Sequence, residues 1–361
     1  MLTHALFFML GLVTLVVGAE ALVRGASRFA LSLGVSPLVV GLTVVAFGTS
    51  APELAVSVGA SLSGSPDLAI GNVVGSNIAN ILLILGISAV IAPLLVAEQI
   101  IRQEIPIMIG AMVLMVVMAL DGTITRLEGG VLFLLVIGYT VFLIRQSRRA
   151  SRETEAEFAA DMPSDASWDR HWSVQVLLIV AGLGLLVLGS DWLVGAAVAF
   201  AQAFGVSDLV IGLTVVAVGT SMPEIATSII AALRGQRDIA VGNVVGSNVF
   251  NIFAVIGTTG LVSAGGIPVS EAARNFDLWV MLAVAFACLP IMISGREIAR
   301  WEGGVFLGYY AAYTAYLVLA AQQHDALPMF SGIMLGYVMP ITVITLIVSF
   351  MRHSNRTSSG G

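Results

Sequence analysis

Two glutamates stand where a carboxylate is costly. Glu53 lies in GTSAPE (48–53) and Glu224 in GTSMPE (219–224), each inside a long apolar run. An acid at that depth costs about 2–3 kcal/mol or more and marks ion pathways. Thr49 and Ser50 precede Glu53 by four and three residues, and Thr220 and Ser221 precede Glu224 in the same way. On a helix that spacing puts each pair of hydroxyls on the acid's own face. Pro52 and Pro223 remove an amide, which leaves the carbonyl of Gly48 or Gly219 without its helical partner. Such freed carbonyls hold sodium in broken-helix transporters. A second polar string, GNVVGSN, occurs at 71–77 and 242–248. Ser76 and Asn80 are four residues apart, as are Ser247 and Asn251, so each pair offers a hydroxyl and an amide oxygen on one face. Gly71, Gly75, Gly242 and Gly246 let neighbouring helices approach closely. The inventory is carboxylate, hydroxyl, amide and carbonyl oxygen. It suits calcium, which takes about six to eight such oxygens, or sodium. Zinc or copper would want nitrogen or sulfur.

The elements that hold these groups come in two copies. Residues 34–86 and 205–257 align without a gap at an offset of 171, with 33 of 53 positions identical. The likeness extends outward, from GAEALV (18–23) to GSDWLV (189–194) and from RLEGGV (126–131) to RWEGGV (300–305).

The chain has 361 residues, 58% hydrophobic and 11% charged. Soluble domains carry about 25% charged residues, so that class is excluded. Apolar runs long enough to cross a bilayer of about 30 Å recur throughout. We place spans at 5–23, 35–62, 69–92, 104–120, 128–145, 174–203, 206–233, 239–262, 277–294, 302–320 and 327–350. The first is read as a retained span, since no positive stretch or clear cleavage site accompanies it. With the N-terminus outside, 14 of the 16 arginines fall in inner loops or the tail, and only Arg126 and Arg274 fall outside. Five spans per half is an odd number, so the second half enters the membrane from the opposite side.

The expected fold is therefore an all-α polytopic membrane protein of two inverted-topology repeats of five helices plus an eleventh C-terminal helix. The first repeat takes 1–146, a solvated cytoplasmic linker 147–172, the second repeat 173–320, and the added helix and tail 321–361. Inverted repeats are a hallmark of secondary transporters, with the site where the halves meet.

The paired GTSxPE and GNVVGSNxxN stretches resemble the cation/calcium exchanger superfamily, and within it the prokaryotic sodium/calcium exchangers. The likeness covers about residues 1–320. It implies ten core helices with ions bound between the second, third, seventh and eighth. By motif position it implies that Glu53 and Glu224 are central ligands shared by Ca²⁺ and Na⁺. Thr49 and Thr220 would serve Ca²⁺, and the carbonyls of Ala46 and Ala217 would serve Na⁺. Ser50, Ser76, Ser221 and Ser247 would complete flanking sodium sites, and Asn80 and Asn251 the remaining central positions. Several members of the superfamily carry aspartate where this chain has Asn251, which argues against potassium-dependent exchange. No acid lies within Val73–Gly75 or Val244–Gly246, which argues against proton exchange without closing it.

The implied function is a secondary antiporter in the cytoplasmic membrane, expelling Ca²⁺ against inward Na⁺ by alternating access, with the lipid bilayer as its setting and no resident cofactor. A Ca²⁺/H⁺ antiporter using the same acids is the alternative, and a gated cation channel is a further one. An enzyme is not expected, because no nucleophile–base pair or metal-binding histidine cluster is evident. Other polar residues read as structural. Asn72, Asn77, Asn243 and Asn248 would join helices by hydrogen bonds. Glu20 and Asp191 would be structural or interfacial. Glu98, Glu104, Asp121 and Glu128, near span ends, would be solvated. Cys288 would be a core residue.

Overall fold

The computed structural model describes residues 2–160, 171–204, 215, 217–293 and 295–345, with Ala217 and 148–160 described by backbone alone. Among these residues nine helices are long and apolar enough to cross a membrane. The pair Pro37–Thr49 (α2) and Ala51–Leu62 (α3), bent by 41° at Ser50, makes a tenth. The nine are α1 (Leu2–Leu33), α4 (Pro66–Ile91), α5 (Ile100–Ala119), α6 (Arg126–Ser147), α7 (Trp172–Ala203), α9 (Arg237–Val262), α10 (Ala273–Ile293), α11 (Arg300–Ala321) and α12 (Leu327–Thr345). The shorter α8 spans Met222–Leu233. The expected span 206–233 falls partly on 205–214 and 216, which lie outside the described residues. The chain is a multi-pass membrane protein.

The two helices that carry GNVVGSN are the most enclosed. Every residue of the apolar window of α9 is buried, and so is most of that of α4. By contrast α12 has no buried residue and touches the bundle through Tyr309, whose hydroxyl bonds to Thr342 Oγ1.

Two short ribbons tie the halves together. β1 (Leu94–Leu95) pairs with β4 (Glu297–Ile298), and β2 (Thr123–Ile124) pairs with β3 (Ile267–Pro268). Helix α5 runs from the first ribbon to the second, while α10 runs from the second to the first. These equivalent helices therefore cross the bundle in opposite senses, as inversion requires. The repeated arginines sit at the same junctions. Arg126 Nε donates to Leu261 O at 3.1 Å and Arg300 Nη2 to Ile91 O at 3.4 Å. Each caps the carbonyl end of a helix in the other half, where the helix dipole favours a cation.

Helices α1 and α7 lie back to back. A Cβ at Gly18 would stand 2.9 Å from Gly182 O, and one at Gly182 would stand 2.8 Å from Gly18 O. The turns after α3 and α8 use Gly64 (φ +81°) and Gly235 (φ +73°), equivalent positions in a left-handed conformation that glycine adopts without strain.

The helix begun at Arg126 continues to Ala160, through the first part of the expected linker 147–172. The segment RRASRETEAEFAA is rich in good helix formers, which need no apolar periodicity to extend an existing helix. Glu104 is not solvated but fully buried, accepting from Gln99 Nε2 at 3.0 Å, Gln103 Nε2 at 2.6 Å and the Tyr139 hydroxyl at 2.9 Å. Glu128 is half-buried and caps its own helix through Thr125 N at 2.8 Å. Glu98 and Asp121 do lie at the surface, and Cys288 is buried in the core.

Candidate ion-binding site

The helix that begins at Pro37 stops at Thr49 and restarts at Ala51, with Ser50 at φ −80°, ψ 4°. Ser221 takes the same conformation, φ −85°, ψ 7°, before α8. Proline at the second residue of each new helix cannot donate to the preceding turn, so the chain breaks there and restarts. Both breaks set a glutamate in the first turn of the following helix. The facing helices α4 and α9 widen to π-helical turns at Asn80–Leu85 and Asn251–Ile256, so each turn opens on an asparagine. Such widened turns recur at functional sites.

The two halves exchange hydrogen bonds across their boundary. Ser50 Oγ donates to Glu224 Oε1 at 3.4 Å, and Ser221 Oγ lies 3.3 Å from Glu53 Oε1 and 3.2 Å from Ser76 Oγ. Thr49 Oγ1 donates to Asn243 Oδ1 at 3.1 Å, and Thr220 Oγ1 to Asn72 Oδ1 at 3.2 Å. Asn80 Nδ2 donates to Asn248 Oδ1 and Asn251 Nδ2 to Asn77 Oδ1, both at 3.0 Å. Asn72, Asn77, Asn243 and Asn248 thus do join helices.

Glu53, Glu224, Thr49, Ser50, Ser221, Ser76, Ser247, Asn80 and Asn251 are all buried, and Thr220 is half-buried. Among the described residues, five of their oxygens have no hydrogen-bond partner: Glu53 Oε2, Glu224 Oε2, Asn80 Oδ1, Asn251 Oδ1 and Ser247 Oγ. A buried polar atom without a partner is costly and calls for an explanation such as an ion. Four of the five form two equivalent pairs, so they are not scattered packing faults. They are hard oxygen acceptors, the chemistry that Ca²⁺ and Na⁺ take. The carbonyl of Ala46 accepts from Ser50 N at 3.0 Å and lies 3.4 Å from Thr49 Oγ1, whose proton points to Asn243. Ala217 begins the short turn Ala217–Gly219.

Close packing holds the site. A Cβ at Gly246 would lie 2.7 Å from Ala46 Cβ and 2.8 Å from Leu42 O, and one at Gly242 3.0 Å from Leu38 O. The corresponding positions opposite Gly71 and Gly75, Leu209 and Leu213, lie outside the described residues.

Sequence reasoning missed Ser57 and Ser228. They accept from Asn72 Nδ2 and Asn243 Nδ2, each at 3.0 Å, and so hold the amides that receive the threonine hydroxyls. The signal was present, since both stand four residues after the repeated glutamates as identical serines. Glu20 pairs with Arg234, at 2.6 Å to Nη2 and 3.0 Å to Nε. Its equivalent Asp191 instead lines an open groove of about 820 Å³ with Phe47, Gly48, Ala51 and Leu188.

Comparison with known proteins places these features in a wider set. The family model described as sodium/calcium exchanger protein matches residues 3–145 and 174–319. The chain is 36% identical over 344 residues to the sodium/calcium exchanger MaX1 of Methanosarcina acetivorans, covering 86% of this chain and 97% of that one. It is 36% identical over 317 residues to the inner membrane protein YrbG of Escherichia coli, covering 88% of this chain and 97% of that one. Among solved structures it is similar to the sodium–calcium exchanger NCX_Mj soaked with Na⁺ and Ca²⁺. That likeness has a TM-score of 0.74 and 31% identity, and covers 87% of this chain and 98% of the other.

Proposed function

The chain belongs to the sodium/calcium exchanger family, and on that premise we propose that it expels Ca²⁺ across the cytoplasmic membrane in exchange for inward Na⁺, binding both between Glu53 and Glu224. The observation that carries this reading is the set of unpartnered buried oxygens on Glu53, Glu224, Asn80 and Asn251. Two carboxylates so close together repel, and a cation between them removes the conflict. One Ca²⁺ or two Na⁺ neutralises the pair. Any additional Na⁺ makes the sodium-loaded form positive, and transport then responds to membrane potential.

Thr49 and Thr220 give their protons to Asn243 and Asn72, which leaves their lone pairs for the ion. Ser50 and Ser221 stand between the acids and the flanking helices, suited to Na⁺ sites beside the central one. The chosen orientation, N-terminus outside and C-terminus inside, rests on the arginine distribution. In that orientation the end of α8 that carries Arg234 is cytoplasmic. Helix α1 lies against α8 far more extensively than α7 lies against α3. This asymmetry supports a state closed on the cytoplasmic side and open on the other, with rocking of α1 and α7 exchanging the two.

The test is calcium uptake into proteoliposomes driven by either a sodium or a proton gradient. Uptake should require sodium. Uptake that follows the proton gradient and ignores sodium would replace this reading with Ca²⁺/H⁺ antiport by the same acids.

A further inference from the structure

An amide side chain presents oxygen at one end and NH₂ at the other, and the two ends are nearly equal in size. A cation site needs the oxygen, so something must choose which end of Asn80 and Asn251 faces it. We propose that Met108 and Met281 make this choice, as positioning residues that act on the ligand asparagines through Asn248 and Asn77. The proposal rests on reading the paired glutamates and asparagines as the ion site.

Both methionines are buried, at 1% and 0% exposure. A thioether sulfur accepts hydrogen bonds and cannot donate them. Asn248 Nδ2 lies 3.3 Å from Met108 Sδ, so the NH₂ end of Asn248 belongs there. Its Oδ1 is then turned to Asn80, whose Nδ2 donates to it at 3.0 Å. That leaves Asn80 Oδ1 as the buried atom without a protein partner. The second copy runs the same way. Asn77 Nδ2 lies 3.7 Å from Met281 Sδ and 3.5 Å from Asn248 O, Asn77 Oδ1 accepts from Asn251 Nδ2 at 3.0 Å, and Asn251 Oδ1 is left over. Turning Asn248 over would set its oxygen against the sulfur lone pairs and its NH₂ against that of Asn80. Asn80 would then turn as well and present NH₂ to the cation.

The methionines are themselves anchored. Glu104 lies one turn before Met108 and is held by Tyr139 at 2.9 Å, and Asp277 lies one turn before Met281 and is held by Tyr313 at 2.9 Å. Both acids end a π-helical turn, Ile100–Glu104 and Ala273–Asp277. Leucine would fill the same space but would express no preference between the two ends of the amide. At Asn77 the carbonyl of Asn248 would still favour the NH₂ end, so the Met281 change is the weaker of the two.

The experiment compares wild type with Met108→Leu, Met281→Leu and the double variant in proteoliposomes, with Ca²⁺ as the probe under a sodium gradient. Each volume-conserving change leaves the fold intact. Loss of one orienting hydrogen bond of about 0.5–1.5 kcal/mol raises the KM for Ca²⁺ by about two- to tenfold, with the maximal rate held within about twofold. The Ca²⁺-induced rise in melting temperature should shrink in step, which reads affinity even where turnover is slow. In an Asn80→Asp background, Met108→Leu should no longer raise the KM, because a carboxylate shows oxygen whichever way it turns and Asn248, released from the sulfur, can turn its NH₂ to it. Wild-type exchange with an unchanged KM in Met108→Leu and Met281→Leu overturns the relay alone. An equal effect with and without Asn80→Asp also overturns it, by assigning the change to packing. Absence of sodium-driven uptake by wild type overturns the exchanger reading and the relay with it.

Discussion

Ser50 of the first half bonds to Glu224 of the second at 3.4 Å, and Ser221 returns the contact to Glu53 at 3.3 Å. Neither half completes its own acid. The residue at which each helix breaks is the one that reaches across, so the helix break and the candidate ion site are one device. A change in how the two halves meet therefore alters both carboxylates at once, which is the coupling that an exchanger between two bound forms requires.

Removing either acid should end exchange. Altering the outer partners of a metal ligand already costs about 10–100-fold, so Glu53→Gln or Glu224→Gln should lower sodium-driven calcium uptake by about 100-fold or more. Neither should unfold the protein, because each removes a repelling charge from a buried site. Melting curves in detergent separate the two effects. The ion-free transition should hold or rise, while the Ca²⁺-dependent stabilisation, about 2.7 kcal/mol at 100 times Kd, should vanish. Normal uptake in either variant would remove the central assignment.

Gly246→Ala tests the packing behind the site. Its Cβ would meet Ala46 Cβ at 2.7 Å and Leu42 O at 2.8 Å, and both belong to the helix that ends at Thr49. Overpacking of this kind costs about 1–3 kcal/mol. The displaced helix should also carry Thr49 and Ser50 away from the acids and weaken Ca²⁺ binding. Gly304→Ala, which meets nothing within 4 Å among the described residues, is the matched control and should lower neither stability nor affinity.

The acids, the hydroxyls and the inversion were legible in the sequence because they lie in the 53-residue repeat, where a constant offset of 171 exposes them. Glu104, Asp277, Met108 and Met281 lie beyond it, where the halves have drifted by two residues and share fewer identities. A methionine on an apolar helix reads as filler, and only its distance from Asn248 shows a hydrogen-bond acceptor. Glu104 read as solvated because it stands near the start of a span. Its burial depends on Gln99, Gln103 and Tyr139, which come from separate turns and helices. The extension of the helix from Arg126 to Ala160 was hidden for the opposite reason, since its later turns are charged and carry no apolar period to read.

Arg234→Gln tests the asymmetry between the two ends. Arg234 pairs with Glu20, whereas the equivalent positions in the other half hold Ser63 and Asp191 and cannot form such a pair. Both partners are partly exposed, so the pair contributes at most about 1 kcal/mol to stability. As a bias between two states of similar energy, the same amount changes their ratio by up to about fivefold. An Ala232→Cys reporter on α8 is buried in this state, and the one native cysteine is also buried. Its modification by a thiol reagent should quicken by about two- to fivefold in Arg234→Gln. An unchanged rate would show that the ion pair does not hold α1 to α8.

The two acid–tyrosine pairs should differ in weight. Tyr139 gives Glu104 Oε2 the one hydrogen bond it has among the described residues, since Gln99 and Gln103 both reach Oε1. Tyr139→Phe keeps the ring against Phe250 and leaves a buried carboxylate oxygen unpaired, a loss of about 1–3 kcal/mol. Tyr313→Phe likewise keeps its stacking on Phe276, but Asp277 is half-buried and water can replace the hydroxyl there. That loss should stay below about 1 kcal/mol. Adding Glu104→Gln to Tyr139→Phe should recover part of the stability by removing the buried charge. Ion-free thermal unfolding in detergent measures all four proteins. Equal losses for the two tyrosines, or no recovery from Glu104→Gln, would assign the effect to ring packing rather than to the carboxylate.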